Sequence, residues 1–204
     1  MHPLVFKEFD QICSKNGAFD RVLEIGTTRQ DQSLLTLPSL TKARLRVGVN
    51  QEEGFRGETY SVLKGNANNM AFFEDQVFDL VLCNSVLEHD PSFWLTLAEA
   101  RRVACPGALL VFGVPGFSIM GSRPELRTIR WLARLPWIGN SWKTRLEALE
   151  ASAFTLGIHN YPSDYYRFSE QAMREIILQG LVEVKTKIIM EPPRVVGWGF
   201  MPGT

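Results

Sequence analysis

Five short apolar runs, each closed by glycine, proline or a polar residue, constrain the fold of this chain more than anything else in it. They are RVLEIG (21–26), LRVGVN (45–50), TYSVLKGN (59–66), FDLVLCNS (78–85) and ALLVFGVP (108–115). Short β-branched or aliphatic runs closed in this way read as strands. Between them, SLLTLPSL (33–40) and PSFWLTLAEARRVA (91–104) read as helices. In the second, Phe93, Leu97 and Ala100 share one face, and Asp90 before Pro91 supplies a cap with proline at the first helical position. PLVFKEFDQICSKNG (3–17) precedes the first strand as a further helix ending at Asn-Gly. Strand–helix alternation at this spacing requires right-handed crossovers, and so an α/β fold with a doubly wound, mostly parallel sheet.

Residues 116–167 break the pattern. Trp131, Trp137 and Trp142 stand among Arg123, Arg127, Arg130, Arg134, Lys143 and Arg145, with Pro124, Pro136 and Gly139 dividing the segment. We expect an inserted helical cap here, its tryptophans packed over a crevice; a peripheral membrane contact by 123–145 is the competing reading. Beyond it, FSEQAMREIILQG (168–180) reads as a helix capped by Ser169 and LVEVKTKIIM (181–190) as a strand. The tail EPPRVVGWGFMPGT leaves little room for another full strand. The 204 residues suit a single domain carrying this insertion.

The 22 basic and 22 acidic side chains cancel, so no overall field favours nucleic acid. Cys13, Cys83 and Cys105 are odd in number and lack a CxxC spacing, which points to neither a disulfide framework nor a metal site. No apolar run is long enough to span a bilayer and the N-terminus lacks a leader pattern, so the expected location is cytoplasmic.

In an open α/β sheet, ligands lie beyond the carboxyl ends of the strands. Four polar clusters occupy those ends: Glu24 and Gly26, then Asn50 and Gln51, then Asn66-Ala67-Asn68, then Cys83, Asn84 and Ser85. The order VLEIG, RVGVN, GNANNMAFFEDQVFDLVLCNSVLEH and EARRVACPGALLVFGVPG resembles the class I S-adenosylmethionine-dependent methyltransferases, particularly the type 11 subgroup, over residues 20–115. The resemblance implies a Rossmann-like fold, S-adenosylmethionine as cofactor and S-adenosylhomocysteine as product. It also implies site roles. Gly26 permits close backbone approach to the methionine part, and Glu24 holds the loop. Thr27 and Thr28, where further loop glycines are usual, offer hydroxyls to the cofactor carboxylate. Asn50, in place of the usual acid, accepts from the ribose diol, and the Asn66–Asn68 region receives the adenine amine.

The expected function is methyl transfer to a small-molecule acceptor. The sulfonium is already an activated leaving group, so a general base is needed only if the acceptor keeps its proton; His89, His159 and Tyr161 are the candidates. His89 also reads as a residue that caps or packs at a helix start. HNYPSDYYRFS (159–169) reads either as an acceptor-side loop or as an Asp164–Arg167 ion pair fastening the cap. The altered glycine loop and Asn50 leave a rival reading, a catalytically inactive methyltransferase-like binding module. A nicotinamide-dependent dehydrogenase is disfavoured by the absence of GxGxxG after the first strand.

Overall fold

The computed structural model describes residues 1–29, 32–119, 142, 145, 153–155, 163–190 and 193–203. Helix α1 (Pro3–Asn16) leads into β1 (Arg21–Ile25), followed by β2 (Leu45–Asn50), β3 (Phe55–Arg56), β4 (Ser61–Lys64) and β5 (Phe78–Asn84). Helix α2 (Phe93–Val103) runs directly into β6 (Ala104–Pro115) and then β7 (Phe117–Ile119); β8 is Ala153–Thr155. A helical turn, α3 (Glu170–Ala172), precedes β9 (Val182–Met190) and β10 (Pro193–Phe200). Eight strands form one sheet in the order β3-β4-β2-β1-β5-β6-β10-β9. The centre is parallel, with Leu23 opposite both Val47 and Val81. Strand order reverses at β1, which places the expected crevice at its carboxyl end.

Alternation within the strands divides the core in two. Leu23, Ile25, Val81, Cys83, Leu110 and Phe112 face α2, meeting Leu97, Ala100 and Val103. Val22, Leu80, Leu82, Leu109 and Val111 face α1, meeting Val5, Phe9 and Ile12. Covering both faces explains why these strands read as continuous apolar runs rather than alternating ones.

Four local expectations are corrected. SLLTLPSL forms two short 3₁₀ turns, Leu34–Thr36 and Pro38–Leu40, instead of a helix. Pro38 cannot donate to the preceding turn, so an α-helix cannot run through it, yet Leu34, Leu35, Leu37 and Leu40 are fully buried. The helix expected over 91–104 starts at Phe93 and ends at Val103. Pro91 lies in the turn before it, where Asp90 Oδ1 accepts from the Ser92 amide at 2.8 Å. The helix expected over 168–180 is one α-turn capped by Ser169, whose Oγ accepts from the Ala172 amide, followed by a π-helical turn, Met173–Ile177.

The fourth correction is the largest. The tail contains a full strand, β10, inserted antiparallel between β6 and β9, with Val196 opposite both Gly113 and Lys187. Pro192 just before it, Pro193 at its first position and Gly197 and Gly199 within it hide its strand character. Both glycines are needed for packing. A Cβ on Gly197 would lie 2.5 Å from Met173 Cγ, and one on Gly199 would lie 3.0 Å from Leu181 Cβ.

Most of the expected cap lies outside the described residues, including Trp131, Trp137, His159 and Tyr161. Its two flanks meet: β7 pairs antiparallel with β8, Ser118 opposite Phe154. Further on, Tyr165 and Tyr166 donate their amides to the Glu88 carbonyl at 2.8 and 3.2 Å. The Tyr166 hydroxyl donates to the Pro91 carbonyl at 3.1 Å, and its ring stands edge-on to Phe93. Asp164 and Arg167 form the ion pair considered from the sequence, with Arg167 Nη2 2.6 Å from Asp164 Oδ2 and both side chains largely buried. The DYYRF stretch thus ties the chain to the loop after β5. No helix among the described residues is long and apolar enough to cross a membrane.

Candidate functional site

A cavity of about 880 Å³ opens at the carboxyl ends of β1, β2, β4 and β5. That is near the upper end of the roughly 300–1,000 Å³ common for small-molecule sites. Glu24, Gly26, Thr28, Asn50, Gln51, Asn66, Ala67, Asn68, Asn84, Ser85 and His89 all line it. Ile25, Val49, Val86 and Pro91 supply apolar wall. The sequence proposed eleven of these lining positions without knowing how their side chains are used.

Glu24 organises the loop after β1. Its Oε2 accepts from Ser33 Oγ at 2.5 Å and from Thr27 Oγ1 at 3.0 Å, and its Oε1 accepts from the Leu34 amide at 3.0 Å. Burial pushes this carboxyl above its usual range, while the hydrogen bonds from Ser33, Leu34 and Thr27 pull it back part of the way. Gly26 sits at φ +89°, and a Cβ there would lie 2.1 Å from Val86 Cγ2. Glycine is therefore required both by the backbone and by the packing of the next strand's loop.

Thr27 departs from its expected role. It is 1% exposed and does not line the cavity; besides Glu24 Oε2, its hydroxyl lies over Gly48, where an added Cβ would come within 2.3 Å of it. The absence of a side chain at Gly48 makes room for Thr27 below the loop. A bulkier residue in place of a loop glycine therefore leaves the cavity open, because it points into the protein.

Asn50 is also engaged differently from expectation. Its Nδ2 donates to the Thr27 carbonyl at 2.7 Å, and its Oδ1 accepts from the Glu52 and Glu53 amides at 2.7 and 3.3 Å. Both acceptor positions of that oxygen are taken by backbone. Asn50 clasps the ends of β1 and β2 together, and the cavity-facing acceptors at this strand end are the neighbouring Gln51 and Glu52.

Asn68 Nδ2 donates to Asp90 Oδ2 at 2.7 Å and to Thr96 Oγ1 at 2.9 Å, while Asn66 Oδ1 accepts from the Asn68 amide. These bonds fix the turn after β4 against the start of α2 and hold Ala67 as a small wall residue. Asn84 Nδ2 donates to Ser85 Oγ at 3.1 Å. Ser85 has φ +57°, a left-handed conformation uncommon outside glycine and one that clusters at functional sites. His89 lines the cavity; the other two proton-acceptor candidates, His159 and Tyr161, lie outside the described residues.

Two buried charges escaped the sequence reading. Glu88 is 0% exposed, and among the described residues neither carboxylate oxygen has a hydrogen-bond partner. Burial raises its pKa to about 7 from an ordinary value of 4.5, an effect that Arg194 and Arg167 oppose and Asp164 reinforces. Arg194, on β10, is 9% exposed and lines the cavity. It lay in a tail read as leaving little room for another full strand, and an arginine in a strand disguised by prolines and glycines carries no signal of its own.

Residues 35–112 match the family described as methyltransferase domain. Comparison with curated protein sequences finds no match. Among solved structures, a protein from Bordetella parapertussis superposes with a TM-score of 0.62 at 11% identity, over 98% of this chain and 68% of that one. The 1,6-didemethyltoxoflavin-N1-methyltransferase of Burkholderia thailandensis gives 0.60 at 13% identity, over 97% and 78%. That structure holds 1,6-didemethyltoxoflavin and S-adenosylhomocysteine. The N-methyltransferase NodS of Bradyrhizobium japonicum gives 0.54 at 15% identity, over 98% and 95%.

Proposed function

We propose, from the methyltransferase-like fold and the match of residues 35–112 to a methyltransferase domain, that this chain transfers a methyl group from S-adenosylmethionine to a small-molecule acceptor. The observation that carries the reading is the single cavity shared by the ends of β1, β2, β4 and β5, with Glu24, Gly26, Gln51, Glu52 and Asn68 on its wall. The fit to the cofactor rests on three features of the chain. Gly26 leaves the loop after β1 bare of side chain, Glu24 holds that loop by three hydrogen bonds, and Thr27 is turned out of the way. Gln51 and Glu52 supply the acceptors for a ribose diol that Asn50 does not offer.

When bound, S-adenosylmethionine supplies a methyl group on a sulfonium, an activated electrophile. The protein's part is to align the acceptor with that methyl and to exclude water. His89, which lines the cavity, is proposed together with His159 and Tyr161 to take a proton from an acceptor that carries one. The chain's segment 116–167 serves in this reading as the lid, and a cytoplasmic location belongs to the same proposal. The small-molecule acceptor is supported by the 1,6-didemethyltoxoflavin held by the Burkholderia thailandensis neighbour.

Isothermal titration with S-adenosylmethionine and S-adenosylhomocysteine tests the reading, with saturable binding expected for both. No heat at millimolar ligand would sink it. The engaged carbonyl of Asn50 favours one rival, an inactive binding module; that rival predicts binding of S-adenosylhomocysteine without turnover of S-adenosylmethionine across a panel of hydroxy, amino and carbon acids.

A further inference from the structure

Arg194 presents a buried cation that no carboxylate hydrogen-bonds among the described residues. It lies near the start of β10, opposite Pro115 at the carboxyl end of β6, and is 9% exposed. Its Nη1 has no hydrogen-bond partner, and among the described residues its guanidinium forms no ion pair. A guanidinium brings five donors in a planar fork, and leaving them unpaired in a protein interior is costly. Burial accordingly pulls its pKa below the ordinary arginine value. The side chain borders the same cavity as Asn84, Ser85 and the first turn of α1, where Met1, His2 and Val5 also stand.

Nearby charges act on it only at a distance, Glu88 favouring the charged guanidinium and Arg167 opposing it. Asp164 is committed to Arg167 as a buried pair. Glu88 is the other acid of the cluster, yet its carboxylate oxygens touch no donor. Two buried guanidiniums therefore face one engaged carboxylate and one that makes no contact. The N-terminal end of α1, which carries partial positive charge, adds no negative group to this wall, since its first turn holds no acidic residue.

We propose that the acceptor carries an anionic group, a carboxylate or a phosphate, and that Arg194 receives it through paired N–H donors. The proposal rests on the methyltransferase reading and adds the substrate class to it. A carboxylate or phosphate matches the guanidinium fork geometrically and supplies the missing countercharge. Arg194 stands at the β6 side of the cavity, whereas Glu24, Gln51 and Asn68 stand at the β1, β2 and β4 ends, so the anion sits apart from the residues assigned to the cofactor.

The test separates the two readings. Protein is first saturated with S-adenosylhomocysteine, then titrated with acetate and, separately, inorganic phosphate at constant ionic strength. Failure of S-adenosylhomocysteine to bind defeats the underlying reading. With it bound, the proposal expects saturable millimolar binding of at least one anion, and which one binds assigns the group as carboxylate or phosphate. Arg194→Gln should weaken that binding at least about tenfold, the effect of losing a charge-assisted pair, and Arg194→Lys should retain part of it. Affinities for S-adenosylhomocysteine and for methylthioadenosine, which lacks the amino-acid end, should change in parallel or not at all. Neither anion binding to the loaded wild-type protein overturns the proposal, a result independent of how the variants fold. So does undiminished binding to a folded Arg194→Gln protein. Selective loss of S-adenosylhomocysteine over methylthioadenosine in Arg194→Gln also overturns it, by assigning Arg194 to the cofactor's own carboxylate.

Discussion

Thr27 and Asn50 show what a residue type conveys and what it does not. The sequence places both at the right strand ends, because strand ends follow from apolar runs and the polar residues that close them. It cannot say which way a side chain turns. Thr27 points down because Gly48, on the neighbouring strand, leaves the space; Asn50 points back because the Thr27 carbonyl and two loop amides lie within reach. Both facts depend on pairing between β1 and β2, which lies beyond local pattern. This changes the expected outcome at Asn50. Asn50→Leu should cost about 1–3 kcal/mol of folding stability without any ligand, since it strands the buried Thr27 carbonyl and removes the acceptor of the Glu52 and Glu53 amides. Urea melts of the ligand-free protein check this, and an unaltered midpoint would show that the clasp is not formed.

Among the elements, the parallel centre of the sheet was legible, with β1, β2, β4, β5 and β6 all falling within or overlapping the runs read as strands. Parallel strands buried on both faces announce themselves by composition alone. The elements that were misread have a different basis. The 3₁₀ turns at 34–40 keep a helical apolar pattern but are cut by Pro38. Strand β10 carries glycines where Met173 of the π-helical turn, Leu178, Leu181 and Val184 of β9 press against it. Its sequence is shaped by neighbours that are remote from it in kind, a helix on one face and strands on both edges. Gly197→Val should therefore destabilise the protein by about 1–3 kcal/mol through overpacking against Met173 and Leu178, despite the better strand propensity of valine. Thermal unfolding measures it. A stabilised Gly197→Val protein would mean that the turn at 173–177 does not sit on β10 as described.

For the whole molecule, the buried charge cluster ties stability to pH. Glu88 has a pKa raised to about 7 in the folded protein from an ordinary 4.5. The folded state consequently holds its proton more tightly than the unfolded chain does. The stability this lends is fully present below about pH 4.5 and is lost as pH rises through about 7. Glu88→Gln should remove that dependence. The stability difference, variant minus wild type, should rise by about 3 kcal/mol between pH 4 and pH 8, using roughly 1.4 kcal/mol per pKa unit. Chemical denaturation at both pH values measures the difference, and a flat one would remove Glu88 from the list of pH-sensitive groups. The place of β10 has another consequence, one of timing. This strand is the last of the sheet to leave the ribosome, yet it lies between two strands made earlier. Until it emerges, β6 has a bare edge and β9 has no partner in the sheet. A nascent chain thus carries an apolar, hydrogen-bond-hungry margin from the completion of β6 until β10 is made, and the exposure of this sheet edge to mispairing with other chains ends only when β10 arrives.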